Sequence, residues 1–203
     1  MWPDWRGQTA VVIAAGGSAR ETVSRMPWRP RAIVVNRSHE LAPWADILYA
    51  ADGAFWRHYA EARAFAGLKV AVTATEQEFK RHGLVRAHVD RAGHGRVLRS
   101  PVGTLGAGGN SGFQAVNLAA QLGARRVILI GFDFKGKHWH DDHAKPLRNP
   151  DPSGMLRWVG HMDAAAEQYR AWGVEIVNAS PASALRAYPK VPIEEALQET
   201  IAA

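Results

Sequence analysis

Thr9-Ala10-Val11-Val12-Ile13-Ala14-Ala15-Gly16-Gly17-Ser18 is the stretch on which the fold turns. Its first six residues form an unbroken apolar run, the signature of a strand covered on both faces. Small residues follow at once, and Ala19 to Met26 then reads as a helix. Strand, glycine turn and helix in that order open an α/β unit.

Working outward, the same kind of run recurs. Arg31–Asn36, Asp46–Ala50 and Leu68–Thr73 read as the next strands, and Arg126–Ile130 is the clearest of all. Val85–Val89 and Arg96–Leu98 fit short strands around a turn at Arg91–Gly95. Phe113–Leu122 reads as a helix, with Gly123 at its C-terminal end. Helix resumes over 154–172, strand over 174–177, and a last helix over 192–203. The expectation is a single Rossmann-like α/β domain over residues 1–203, a mostly parallel sheet with helices on both faces.

Composition sets the outer bounds. The 203 residues are 47% hydrophobic and 22% charged, an ordinary globular balance that holds one sizeable core. No apolar run reaches the roughly 20 residues of a membrane span. The opening MWPDWRGQ lacks the apolar core of a signal peptide, and the chain has no cysteine. A cytoplasmic location is expected. The net charge of +6 favours anionic partners, yet Lys and Arg are scattered. That pattern favours a small anionic nucleotide over nucleic acid, and oligomeric state stays open.

Two glycine segments precede helices. Gly16-Gly17-Ser18 leaves room for a phosphate at a helix N-terminus. It is neither G-x-G-x-x-G nor a P-loop. Gly106 to Gly112 holds four glycines within seven residues and adds Gly109, Asn110, Ser111 and Gly112 as candidate contacts. Capping explains one of the two polar residues there, not the four glycines. Asn36, Asp52, Gly131 and Asp133 fall at strand ends, where an open α/β sheet places its ligand crevice.

Residues 135–152 have no periodicity and are expected to form a long functional loop. Within it, His138, His140, Asp141, Asp142 and His143 offer either divalent-metal ligands, together with Asp133, or acid–base groups. Trp56 and Trp139 are expected beside the crevice, positioned to stack on a base or sugar.

The succession Gly16-Gly17-Ser18, Val35-Asn36, Asp52-Gly53, Asn110-Ser111-Gly112 and Gly131-Phe132-Asp133 resembles two related Rossmann-like groups. One is the bacterial lipooligosaccharide sialyltransferases that use CMP-sialic acid. The other includes the archaeal 6-hydroxymethylpterin diphosphokinase, whose small phage- or prophage-type members the chain is most similar to. Gly173 to Leu185 also resembles the sialyltransferase segment that follows the catalytic loop. The resemblance implies donor contacts from Gly16, Gly17, Ser18 and Asn36, with Ser111, Gly112, Gly131 and Asp133 at the matching later positions. It implies a general base at His161, in Gly160-His161. The loop after Gly131-Phe132-Asp133 departs from the sialyltransferases, carrying histidines where they use tyrosines.

These readings converge on a nucleotide-dependent transferase, glycosyltransferase-like, taking a nucleotide or nucleotide-sugar donor. His161, or one of His138, His140 and His143, would act as base and Asp133 would position the donor or a metal. Two alternatives stand: a Mg²⁺-dependent diphosphokinase-like enzyme, with Asp133, Asp141 or Asp142 as ligands, and a non-catalytic nucleotide-binding protein.

Overall fold

The computed structural model describes residues 1–143, 145, 147, 149 and 151–198. Its centre is a seven-stranded, wholly parallel sheet. The strands are β1 (Thr9–Ile13), β2 (Arg31–Val35), β3 (Ile47–Tyr49), β4 (Leu68–Ala71), β5 (Leu84–Arg86), β8 (Arg126–Ile130) and β9 (Glu175–Asn178), in spatial order β5-β4-β3-β2-β1-β8-β9. Val11 pairs with Ala32 on one side and Ile128 on the other. A separate parallel pair joins β6 (His88–Asp90) to β7 (Thr104–Gly106).

Strand alternation builds two cores. Val12, Ile33, Val35, Val127 and Leu129 face α4 (Ser111–Gln121) and α5 (Pro152–Ala171), through Phe113, Val116, Met162 and Tyr169. Val11, Ile13, Val34, Ile128 and Ile130 point the other way. They meet residues of α1 (Ala19–Ser24), α2 (Gly53–His58), α3 (Glu76–His82) and α6 (Ile193–Gln198). Each fully buried Val, Ile or Leu contributes about 1.5–3 kcal/mol, so a central strand covered on both faces needs the unbroken apolar run seen at 9–14. The expected doubly covered parallel sheet is the fold observed. Among the described residues no helix is long and apolar enough to cross a membrane.

The middle of the chain departs from expectation. Residues 96–98 form no strand, because side chains of α4 take the backbone groups that a ladder would use. Leu98 N–H donates to Asn117 Oδ1 (3.1 Å), and the Leu98 carbonyl accepts from Asn117 Nδ2 and Gln121 Nε2, both at 2.8 Å. Asn117 Oδ1 also accepts from Gly106 N–H (2.9 Å), and Gln114 Nε2 donates to the Ala107 carbonyl (2.9 Å). Gln114, Asn117 and Gln121 lie on one helical stripe. Together they pin the segment that leads into the second glycine turn. The last helix is described only to Gln198; residues 199–203 of the expected helix lie outside the described residues.

Candidate functional site

In the strand order, β1 is the switch point: β2 to β5 extend to one side of it and β8 and β9 to the other. The crevice of an open α/β sheet forms outside the carboxyl ends of strands at such a point. A cleft of about 410 Å³ lies there, lined by the residues after β1, β2, β3 and β8 and by the first turns of α4 and α5. Another hollow, about 530 Å³, opens at the opposite end of the sheet among Gln8, Trp28, Arg31 and Trp44.

The first glycine turn is held against the end of β8. Gly16 N–H donates to the Gly131 carbonyl at 2.8 Å. A Cβ on Gly16 would lie 2.5 Å from that carbonyl oxygen and 2.7 Å from Asp133 Cγ, so no larger residue fits. Asp133 is buried, and both its oxygens are engaged by Ser18, accepting from the backbone N–H at 2.8 Å and from Oγ at 2.5 Å. This carboxylate closes the turn and does not line the cleft. Gly17 and Ser18 do not line it either.

The cleft does bring together Gly16, Asn36, Asp52, Gly109, Asn110, Ser111, Gly112 and Gly131. Asn36 sits at φ +52, a left-handed conformation that Asn tolerates better than most residues. Asn110 caps α4, its Oδ1 accepting from Phe113 N–H at 2.9 Å. The N–H groups of Ser111 and Gly112 belong to the first helical turn, which has no carbonyl one turn back to accept from them. Both residues line the cleft, at the positive end of the helix. Two of the four neighbouring glycines have a packing reason instead: Cβ atoms at Gly106 and Gly108 would collide with the Arg96 carbonyl and the Phe113 ring.

Sequence reasoning missed several lining residues. Asp151 caps α5, accepting from Gly154 N–H at 2.6 Å, and Pro152 starts the helix. Gly154, Arg157 and Trp158 then face the cleft at i, i+3 and i+4. That spacing after an Asp-Pro start was the available signal. Lys135 and Lys137 add positive charge from the loop, while Phe132 and Phe134 give an apolar wall.

Neither of the tryptophans expected beside the crevice lines it. Trp56 is wholly buried, donating Nε1–H to the Ala50 carbonyl at 3.0 Å and packing edge-on to Phe55. Trp139 is covered by the guanidinium groups of Arg20 and Arg37, 4.8 and 5.8 Å from its ring.

The histidines divide. His138 and His143 line the cleft; His140 and His161 do not, nor do Asp141 and Asp142. The segment is anchored where His138 bridges Gly16 and Trp139 N–H donates to the Ala15 carbonyl at 3.1 Å. The possible ligand nitrogens of His138, His140 and His143 all lie within 4.8 Å of one another. Burial lowers the basicity of all three, pushing His143 down to about 4. His161 stands beside the second glycine turn: its Nδ1 lies 2.9 Å from the Gly108 carbonyl and its ring stacks on His94 at 4.9 Å. A carbonyl only accepts, so Nδ1 carries the hydrogen and Nε2 the lone pair.

No family model matches the chain, and no curated protein sequence does. Among solved structures, the sialyltransferase CstII from Campylobacter jejuni, in complex with the substrate analogue CMP-3FNeuAc, superposes with a TM-score of 0.56. It is 10% identical and the match covers 91% of this chain and 86% of that one. The likeness is one of fold. A short chain dehydrogenase from Mycobacterium smegmatis, 11% identical over 97% of this chain and 85% of its own, reaches a TM-score of only 0.29 and carries no argument.

Proposed function

We propose that this protein is a glycosyltransferase-like enzyme that transfers a sugar from a nucleotide-activated donor, with a CMP-sugar the first candidate. The observation that carries the reading is the convergence at the switch point. Gly16, Asn36, the N-terminus of α4, and the cations Lys135, Lys137 and Arg157 all line one cleft. Oriented N–H groups beside cations suit a phosphate. The fold shared with a sialyltransferase in complex with a CMP-sugar analogue supports the choice of donor.

In this reading the donor phosphate lies on the Ser111 and Gly112 N–H groups, with Asn36 and Trp158 toward the nucleoside. The acceptor hydroxyl oxygen attacks the anomeric carbon as the bond to the phosphate oxygen breaks. The nucleotide leaves as an anion, and the hydroxyl proton passes to His161 Nε2. His161, which stands beside the second glycine turn and not on the cleft wall, is preferred over the loop histidines because the loop imidazoles converge on one another. Magnesium-assisted phosphoryl transfer is the less favoured reading, since Ser18 already engages both oxygens of Asp133.

The test is release of free nucleotide from CMP-, UDP- and GDP-sugars with mixed saccharide acceptors. Acceptor-dependent release is expected from at least one donor, and His161→Ala should lower turnover by about 10²–10⁴-fold, the range for loss of a general base. Equal turnover in His161→Ala removes that residue's role. No release from any donor by protein that also binds none of them rejects the reading.

A further inference from the structure

The loop histidines form a cluster that the sugar-transfer reading does not use. The rings of His138 and His140 are 4.9 Å apart and tilted by 44°, those of His140 and His143 4.9 Å and 60°, and those of His138 and His143 5.6 Å. No hydrogen bond links the three rings to one another, so mutual bonding does not explain the convergence.

Two outer partners set the proton positions. His140 Nδ1 lies 2.6 Å from the Asp141 carbonyl oxygen, which only accepts, so the hydrogen is on Nδ1 and the lone pair on Nε2. That Nε2 is buried and has no hydrogen-bond partner among the described residues. Burying an unpaired polar nitrogen costs free energy unless something satisfies it. His143 Nδ1 is 2.8 Å from the Tyr59 hydroxyl, leaving its Nε2 as the other available nitrogen. Metal-binding imidazoles are held in this way, with the second nitrogen tied to a carbonyl, carboxylate or hydroxyl. The loop itself is braced. His143 N–H donates to Asn149 Oδ1 at 2.8 Å, Asn149 Nδ2 returns a bond to the His143 carbonyl at 3.2 Å, and His138 pairs with Gly16.

We propose that His138, His140 and His143 bind one Zn²⁺ ion at the mouth of the cleft. Three neutral imidazoles are a nitrogen-donor set that suits zinc and disfavours Mg²⁺ and Ca²⁺, which prefer oxygen. Zn–N bonds of about 2.0–2.1 Å in tetrahedral geometry put ligand nitrogens about 3.3 Å apart. Side-chain rotation from separations within 4.8 Å reaches that. Three protein ligands leave a fourth position, and His138 and His143 line the cleft where an anionic oxygen could fill it. The site stands on these residues whatever the donor proves to be.

The experiment uses untagged, metal-stripped full-length protein titrated with Zn²⁺, and separately with Co²⁺ followed by visible absorption. One Zn²⁺ per chain is expected, with the intense d–d bands of a four-coordinate Co²⁺ site. His140→Ala and His143→Ala should each weaken binding by more than about 100-fold. Tyr59→Phe, which loses only an outer partner, should weaken it by roughly 10–100-fold. His88→Ala, on β6, should bind as the wild type does. Circular dichroism of each metal-free variant separates loss of metal from loss of fold. Absence of the Co²⁺ bands in the wild type overturns the proposal without any variant, as does undiminished Zn²⁺ binding by a folded His140→Ala protein.

Discussion

Replacing Asp133 separates a group that holds the first glycine turn from one that acts on the ligand. The carboxylate is 4% exposed and accepts from both Ser18 N–H and Ser18 Oγ. A hydrogen bond to a charged group is worth about 1.5–3 kcal/mol. Asp133→Ala removes two and leaves the Ser18 N–H unpaired, for a loss of about 3–5 kcal/mol. In a chain of this size each kcal/mol lowers Tm by roughly 2–4 °C, so the fall should be about 10 °C. Asp133→Asn can still accept from the N–H and donate to the hydroxyl, losing only the charge assistance, about 1–2 kcal/mol. Thermal melting read beside donor turnover at a permissive temperature is the assay. The clamp predicts a large loss of stability in Asp133→Ala and most of the turnover retained in Asp133→Asn. An Asp133→Ala protein melting within about 2 °C of the wild type, or an Asp133→Asn protein of native stability with abolished turnover, refutes it.

Three further outcomes follow from local geometry. Thr75 and Glu78 form a reciprocal cap on α3, with Glu78 N–H donating to Thr75 Oγ1 (3.2 Å) and Thr75 N–H donating to Glu78 Oε2 (2.7 Å), so Thr75→Ala should cost about 1 kcal/mol in urea unfolding. The Thr75 N–H, followed by Arg57, holds the Glu78 carboxyl down at about 2, below its ordinary 4.5; its stabilisation is therefore complete above pH 4.5 and is lost as pH falls from there through 2, a drop that Glu78→Gln should flatten in an acid titration of stability. Trp158→Ala, on the cleft wall, should weaken nucleotide binding by about 1–3 kcal/mol if a base stacks there, and calorimetry showing unchanged affinity would remove that contact.

The sheet was legible where burial on both faces forces a continuous apolar run, as in Thr9–Ile13 and Arg126–Ile130. It was not legible at Thr104–Gly106, a three-residue strand whose pairing depends on amides reaching over from α4. The short helices Gly53–His58 and Glu76–His82 carry too few turns to show a clear apolar period, although Thr75-Glu76-Gln77-Glu78 spells a capping box. At the site, strand-end logic led to Asn36, Asp52 and Gly131. It could not tell that Asp133, two residues further on, faces Ser18 instead of the cleft, because that is a matter of side-chain direction. The histidine loop showed its residue types in order, but the Tyr59 contact bridges 84 positions and no local pattern carries it.

The central claim, a nucleotide-sugar site at the β1 switch point, is tested most directly by calorimetric titration of CMP-, UDP- and GDP-sugars into the wild type and Asn36→Gly. Glycine accepts the φ of +52 at this position without strain, so the substitution removes the side chain from the cleft and leaves the fold in place. The account predicts saturable one-to-one binding of at least one nucleotide sugar by the wild type. It predicts binding roughly 10-fold or more weaker in Asn36→Gly, as expected for loss of a hydrogen bond of about 1.5 kcal/mol, with Tm nearly unchanged. No saturable binding by the wild type, or identical affinity in the two proteins, would contradict it.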